Sequence, residues 1–177
     1  MEHGQKVAVI TGASQGIGAA LVKAYRDRHY KVVATARSIM PSNDDNVLTV
    51  SGDIADRATA ERTISQGMAR FGRIDTLVNN AGIFISKPFI QYTAADYTAI
   101  LGVNTAGFFH MTQLAIAEME KRGSGHVVQS TRITGVHSFR TPIAISRSRS
   151  VFIAASTDVA PFLWSTRRVT ASFAGEN

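Results

Sequence analysis

A doubly wound α/β fold on a parallel sheet is predicted by three features of this 177-residue chain. Short β-branched runs alternate with amphipathic stretches five times between residues 6 and 130, the pattern of strands joined by right-handed helical crossovers. A glycine cluster, TGASQGIG at 11–18, follows the first run directly, at the carboxyl edge where such sheets bind ligands. Hydrophobic residues make up 45% of the chain, enough for one core.

KVAVIT (6–11) is a buried-strand candidate, and beyond the glycines Ile17, Ala20, Leu21, Ala24 and Tyr25 recur at helical spacing. KVVATA (31–36) reads as the second strand and VLTVSG (47–52) as the third. Asp56 is placed to cap a helix whose Ala60, Ile64, Met68 and Phe71 share one face. IDTLVNN (74–80) is the fourth strand. Thr93 and Asp96 form a capping-box pattern that opens a helix running through Leu101. The stretch 105–121 is apolar almost all round (Phe108, Phe109, Met111, Leu114, Ile116, Met119), which predicts a helix packed on two sides. GHVVQS (125–130) is the fifth strand. After it the texture changes: residues 123–177 hold 15 Ser/Thr and six Arg, with no Lys or Tyr. SRSRS (146–150) interrupts any helical pattern, and VFIAAS (151–156) is apolar with no evident partner.

Composition removes several chemistries. The absence of cysteine excludes disulfides, thiolate catalysis and cysteine zinc sites. The five histidines lack ligand spacing, so no metal site is expected. No apolar run approaches the ~20 residues of a membrane span, and the chain enters its first strand without room for a signal peptide, so a cytoplasmic protein is expected. The net charge of +6 raises nucleic acid as a partner, but six of the 19 basic and only two of the 13 acidic residues follow residue 122. The basic excess therefore belongs to the last third, where SRSRS lacks interleaved aromatics. No nucleic-acid partner is expected.

Gly12 permits a tight turn, while Gly16 and Gly18 let backbone approach a pyrophosphate lying on the positive end of the following helix. The spacing TGxxxGxG resembles the glycine motif of the short-chain dehydrogenase/reductase family. NNAG at 79–82 and LGVNTAGFFHMTQ at 101–113, around Asn104, are similar to that family too. The resemblance covers about residues 5–130. It implies a Rossmann-type sheet with Thr11, Gly12, Ser14, Gln15, Gly16, Ile17 and Gly18 along the diphosphate and ribose, Asp53 and Ile54 flanking the adenine, and Asn80, Ala81 and Gly82 along the cofactor. Past the second strand the sequence reads Ala36, Arg37, Ser38, with no acid to bond the ribose 2′-hydroxyl of NAD. Arg37 presents a planar fork to a 2′-phosphate and Ser38 adds a hydroxyl, so NADP is expected over NAD.

Members of the family move a hydride between the nicotinamide and a carbonyl or alcohol carbon of a small molecule. A tyrosine serves as general acid/base, a lysine four residues later lowers its pKa, a serine polarises the carbonyl, and an asparagine anchors a water relay. Asn104 stands at the asparagine position. In register with the family, however, Arg132 replaces the serine, Ile145 the tyrosine and Arg149 the lysine; the last tyrosine is Tyr97 and the last lysine Lys121. The sequence thus divides into a cofactor-binding region, 1–130, and an atypical segment, 131–177, in which the C-terminal strands and helices of the family are missing or altered. Three readings stay open at this point: a relative whose own catalysis is lost, a non-catalytic NADP-binding module, and an active carbonyl reductase with an unrecognised proton donor. The family is homo-oligomeric, but its usual interface helix is not readable here.

Overall fold

A computed structural model describes residues 4–130 together with the backbone of 151–156. Strand β1 (Val7–Thr11) lies in the middle of the sheet with all five residues buried. It pairs in parallel with β2 (Lys31–Ala36) on one side and β4 (Thr76–Asn79) on the other. Outward from these run β3 (Val47–Ser51), then β5 (Gly125–Ser130) and β6 (Val151–Ser156), in the order β3-β2-β1-β4-β5-β6, all parallel. The chain winds outward from β1 to β3, then returns to place β4 beside β1. That reversal opens a crevice above the carboxyl ends of β1 and β4.

Both faces of the central strands β1 and β2 are covered, which is why they read as near-continuous apolar runs. Val7, Val9, Val33, Leu77 and Val127 point to one face, against α2 (Arg57–Phe71) and α4 (Phe108–Lys121). Their neighbours Ile10, Val32, Ala34 and Val78 point to the other, against Leu21, Val22 and Tyr25 of α1 (Gly16–Asp27). Each such fully buried aliphatic side chain contributes roughly 1.5–3 kcal/mol. Helix α2 begins where Asp56 accepts the Ala58 amide at 3.0 Å and ends at Gly72, whose φ of +73° lets its N–H reach Met68 O at 2.8 Å. At α3 (Ala94–Leu101), Thr93 and Asp96 exchange reciprocal bonds in the expected capping box.

Two expectations need correction. The helix expected over 105–121 starts only at Phe108, because Gly102–Gly107 winds as a π-helix. It is also buried on one side rather than two: Met111, Thr112, Ala115 and Met119 enter the core while Phe109 stays 54% exposed. VFIAAS, seen in the sequence without a partner, pairs along its whole length with β5, from Gly125↔Val151 to Ser130↔Ser156. A sixth strand is therefore present. Parallel neighbours are set by a crossover rather than a turn, so no local signal announced it. Among the described residues no helix is long and apolar enough to cross a membrane, and no group of histidine and acidic residues is arranged to hold a metal.

Candidate functional site

The glycine cluster forms the turn from β1 into α1. Gly12 (φ +65°) and Gly16 (φ +54°) take left-handed conformations that side chains resist. A Cβ at Gly18 would stand 2.0 Å from Gly12 O, so only glycine lets the helix close on the turn, whereas one at Gly16 would meet nothing within 4 Å. The open space above Gly16 faces the start of a twelve-residue helix with no side-chain cap and no acid in its first turn. Uncapped N–H groups and the positive end of the helix dipole suit an anionic group, so the turn fits a pyrophosphate. Ser14, Gln15 and Ile17 are exposed on the same turn.

The end of β4 is tied to this turn by four bonds. The buried Thr11 hydroxyl accepts the amides of Asn80 (3.0 Å) and Ala81 (2.9 Å). Asn80 Nδ2 donates in return to Thr11 O (3.1 Å) and Gly12 O (3.3 Å). Beneath them Asn79 Nδ2 donates to Thr112 Oγ1 of α4 at 2.9 Å, fixing the strand end to the helix behind it.

Asn104 sits inside the π-helix. Its Oδ1 accepts the Ile83 amide at 2.8 Å and its Nδ2 donates to Ile83 O at 3.0 Å, so one side chain satisfies both backbone groups of the residue after Gly82. Gly107 closes the π-turn, and a Cβ there would lie 2.8 Å from Ile54 Cγ2. A wider turn at this point aims Asn104 at Ile83 while α4 stays packed below; single π-turns inside α-helices recur at functional sites. Farther out, Lys87 pairs with Asp96, whose carboxylate also accepts from the Thr93 amide and hydroxyl. Lys87 and the Thr93 bonds hold the Asp96 carboxyl well below the usual carboxylate range.

At the far rim, Arg37 and Ser38 leave β2 exposed. Ser51 Oγ donates to Arg37 O at 2.9 Å, pinning the backbone there to the end of β3. Asp53 Oδ1 accepts the Ala55 amide at 2.9 Å. The Ile54 side chain is buried in the core shared with α2 and α4, so Ile54 presents its backbone rather than its side chain to the rim. Arg62 of α2 reaches up to Ser51 O (3.3 Å) and Thr59 Oγ1 (3.2 Å).

The turn, the end of β4 and Asn104 thus form one hydrogen-bonded row across the crevice, with Arg37, Ser38, Asp53 and Ile54 at its β2–β3 end. The sequence did not reveal Ile83 or Arg62 as parts of this arrangement. Both make contacts that only long-range packing creates. The positions of Arg132, Ile145 and Arg149 lie outside the described residues.

A family model described as short chain dehydrogenase matches residues 6–150. The chain belongs to the short-chain dehydrogenase family. An uncharacterized oxidoreductase of Staphylococcus haemolyticus is 29% identical over 155 residues, 84% of this chain and 67% of its own length. An NADP-dependent 3-hydroxy acid dehydrogenase of Salmonella typhi is 29% identical over 129 residues, 69% of this chain and 52% of its own. The crystal structure of a 3-ketoacyl-(acyl-carrier-protein) reductase from Brucella melitensis, complexed with NADH, superposes with a TM-score of 0.68 at 28% identity, covering 72% of this chain and 57% of that one. The chain therefore spans between about half and two thirds of these family members. It carries the family's parallel sheet with flanking helices, and the family binds NAD(P) and acts on small molecules.

Proposed function

We propose that this chain is an NADP-binding relative of the short-chain oxidoreductases whose own catalysis is lost. The observation that carries the cofactor reading is the end of β2. Ala36 leaves no carboxylate for a ribose 2′-hydroxyl, and the exposed Arg37 makes no ion pair among the described residues. Since one relative is NADP-dependent and another holds NADH, these local residues favour the phosphorylated cofactor where kinship does not. Gly12, Ser14, Gln15, Gly16 and Ile17 would line the diphosphate and ribose, with Thr11 and Gly18 buried behind them to shape the turn, Asp53 and Ile54 would flank the adenine, and Asn80, Ala81 and Gly82 would line the stretch toward the nicotinamide.

When bound, NADPH supplies the hydride that the family delivers to a carbonyl carbon. What this chain adds is positioning: Asn104 fixes Ile83 at the crevice. The residues at the tyrosine, lysine and serine registers, Ile145, Arg149 and Arg132, cannot donate and tune the required proton. Residues 1–130 are read as the cofactor-binding domain and 131–177 as an atypical segment, in a cytoplasmic protein without nucleic-acid or membrane partners. Titrating NADPH and NADH into wild type and Arg37→Asp tests the reading. A charge-assisted bond to the phosphate favours NADPH by about tenfold to a hundredfold, and Arg37→Asp should abolish or reverse that ratio. Equal wild-type affinities would overturn it.

A further inference from the structure

At the amino ends of the strands, opposite the crevice, a cavity of about 350 Å³ opens where β1, β2, β4 and β5 begin. Lys6, Tyr30, Thr76, Ser124 and His126 line it. Thr76 and His126 are register partners, and Ala8, two residues after Lys6, is the partner of Thr76 on β1. Strand alternation therefore turns Lys6, Thr76 and His126 to one face of the sheet, the face that carries α1. Arg73 and Asp75 also border the cavity, but they satisfy each other. Asp75 Oδ2 accepts the Val7 amide at 2.8 Å and Arg73 Nε at 2.7 Å, and its Oδ1 accepts Arg73 Nη2. Arg73 Nη1 turns to Gly4 O at 3.2 Å. Backbone acceptors at the rim are taken too: Lys6 O by the Lys31 amide (2.8 Å), Asp75 O by the His126 amide (2.9 Å) and Tyr30 O by Arg26 Nη1. Helices α1 and α4 end nearby, and free carbonyls there would repel an anion. Tyr25 O, Arg26 O, Met119 O and Glu120 O instead each accept an amide from the turn that follows.

What remains around the cavity is a set of donors. Among the described residues the Lys6 ammonium, the hydroxyls of Tyr30, Thr76 and Ser124, and the His126 ring make no hydrogen bond or ion pair. With Arg73 and Asp75 cancelling, Lys6 leaves one uncompensated positive charge, and a protonated His126 adds a second. Donors approaching from several strands, with the acceptors already occupied, suit an anion whose oxygens point in several directions. A tetrahedral phosphate offers that and a flat carboxylate does not. We propose that this amino-edge cavity is a second ligand site, binding a phosphate group between Lys6 and His126 with the Tyr30 and Ser124 hydroxyls beside it. Its volume falls among those of small-molecule sites, which leaves room for the body of a phosphate monoester. The site is separate from the glycine turn and does not depend on the cofactor reading.

The test titrates the whole chain at low salt with inorganic phosphate, methyl phosphate and acetate while NMR follows the His126 ring. Burial holds that imidazole below its ordinary value, and a phosphate beside it favours the protonated ring and should raise it. Sulfate, a dianion throughout, isolates the part played by the ring. Its affinity should rise about three- to tenfold between about pH 8 and about pH 5.5 in wild type and stay flat in His126→Gln. Lys6→Gln should weaken phosphate, methyl phosphate and sulfate by about three- to tenfold, and Lys6→Arg should restore most of the loss. The wild-type ring titration carries the test if His126→Gln does not fold. Tighter binding of methyl phosphate than of inorganic phosphate supports an ester as the ligand, and the reverse order supports the free ion. A His126 ring that no phosphate moves would overturn the proposal, even if phosphate binds elsewhere on the chain. An equal response in wild type and Lys6→Gln would overturn it too, as would acetate binding as tightly as methyl phosphate.

Discussion

Thr11→Val keeps the shape of a buried side chain and deletes the single oxygen on which the end of β4 hangs. Thr11 is 1% exposed, and its Oγ1 accepts two amides, Asn80 at 3.0 Å and Ala81 at 2.9 Å. Each buried N–H left without a partner costs about 1–3 kcal/mol. The added methyl returns about 0.8 kcal/mol. Asn80 Nδ2 still bonds Thr11 O and Gly12 O, so the strand ends stay joined and some relaxation is available. The net cost expected is about 2–4 kcal/mol, which for a chain of this size is a fall in Tm of about 5–15 °C. Thr11→Ser keeps the acceptor and loses one buried methyl, for about 1 kcal/mol. Urea and thermal unfolding of the three proteins, with hydrogen exchange at the Asn80 and Ala81 amides, measure the difference. If Thr11→Val is no less stable than Thr11→Ser, or its two amides exchange as slowly as in wild type, the hydroxyl is not the clamp described here.

Gly18→Ala and Gly16→Ala should separate by mechanism. The first drives a Cβ into Gly12 backbone at 2.0 Å and should cost about 2–3 kcal/mol, whereas the second meets open space and pays only the strain of φ +54°, about 1–2 kcal/mol, in thermal melts. On the proposed cofactor reading, Gly16→Ala should nonetheless weaken dinucleotide binding, because its methyl would enter the open space where the pyrophosphate is proposed to lie. Burial pushes the His126 imidazole below its ordinary value, so the unfolded chain binds more protons than the folded one below about pH 6.5. Stability should hold above that pH and fall below it, and His126→Gln should flatten this part of the urea-derived stability profile.

The legible parts of the fold were those with local signals. The apolar runs of β1, β2 and β5 and the caps at Asp56 and Thr93 each show within a few residues. The π-helix was not legible, because Gly102–Gly107 looks like the start of an ordinary helix until Gly107 meets Ile54 and Asn104 meets Ile83. Arg62 reads in sequence as one more charge on the outer side of α2, and only the seating of that helix against β3 brings it to Ser51. The pairing of β6 with β5 was hidden for a similar reason, since residues 131–150 between them carry no pattern of a crossover. The glycine turn, NNAG and Asn104 were visible as separate motifs; that bonds through Thr11, Asn80 and Ile83 join them into one row was not.

The chain is proposed to hold a cofactor site without the proton chemistry of its family, and one experiment addresses both halves. The chain is saturated with NADPH, occupancy is followed by nicotinamide fluorescence, and ketones and quinones are added in turn while the same signal reports oxidation. A positioned general acid contributes about 10²–10⁴-fold, so the expected result is bound NADPH that persists, with oxidation at background. Oxidation proportional to protein concentration and abolished by Asn104→Ala would contradict the claim and demand a proton donor among the residues of this chain.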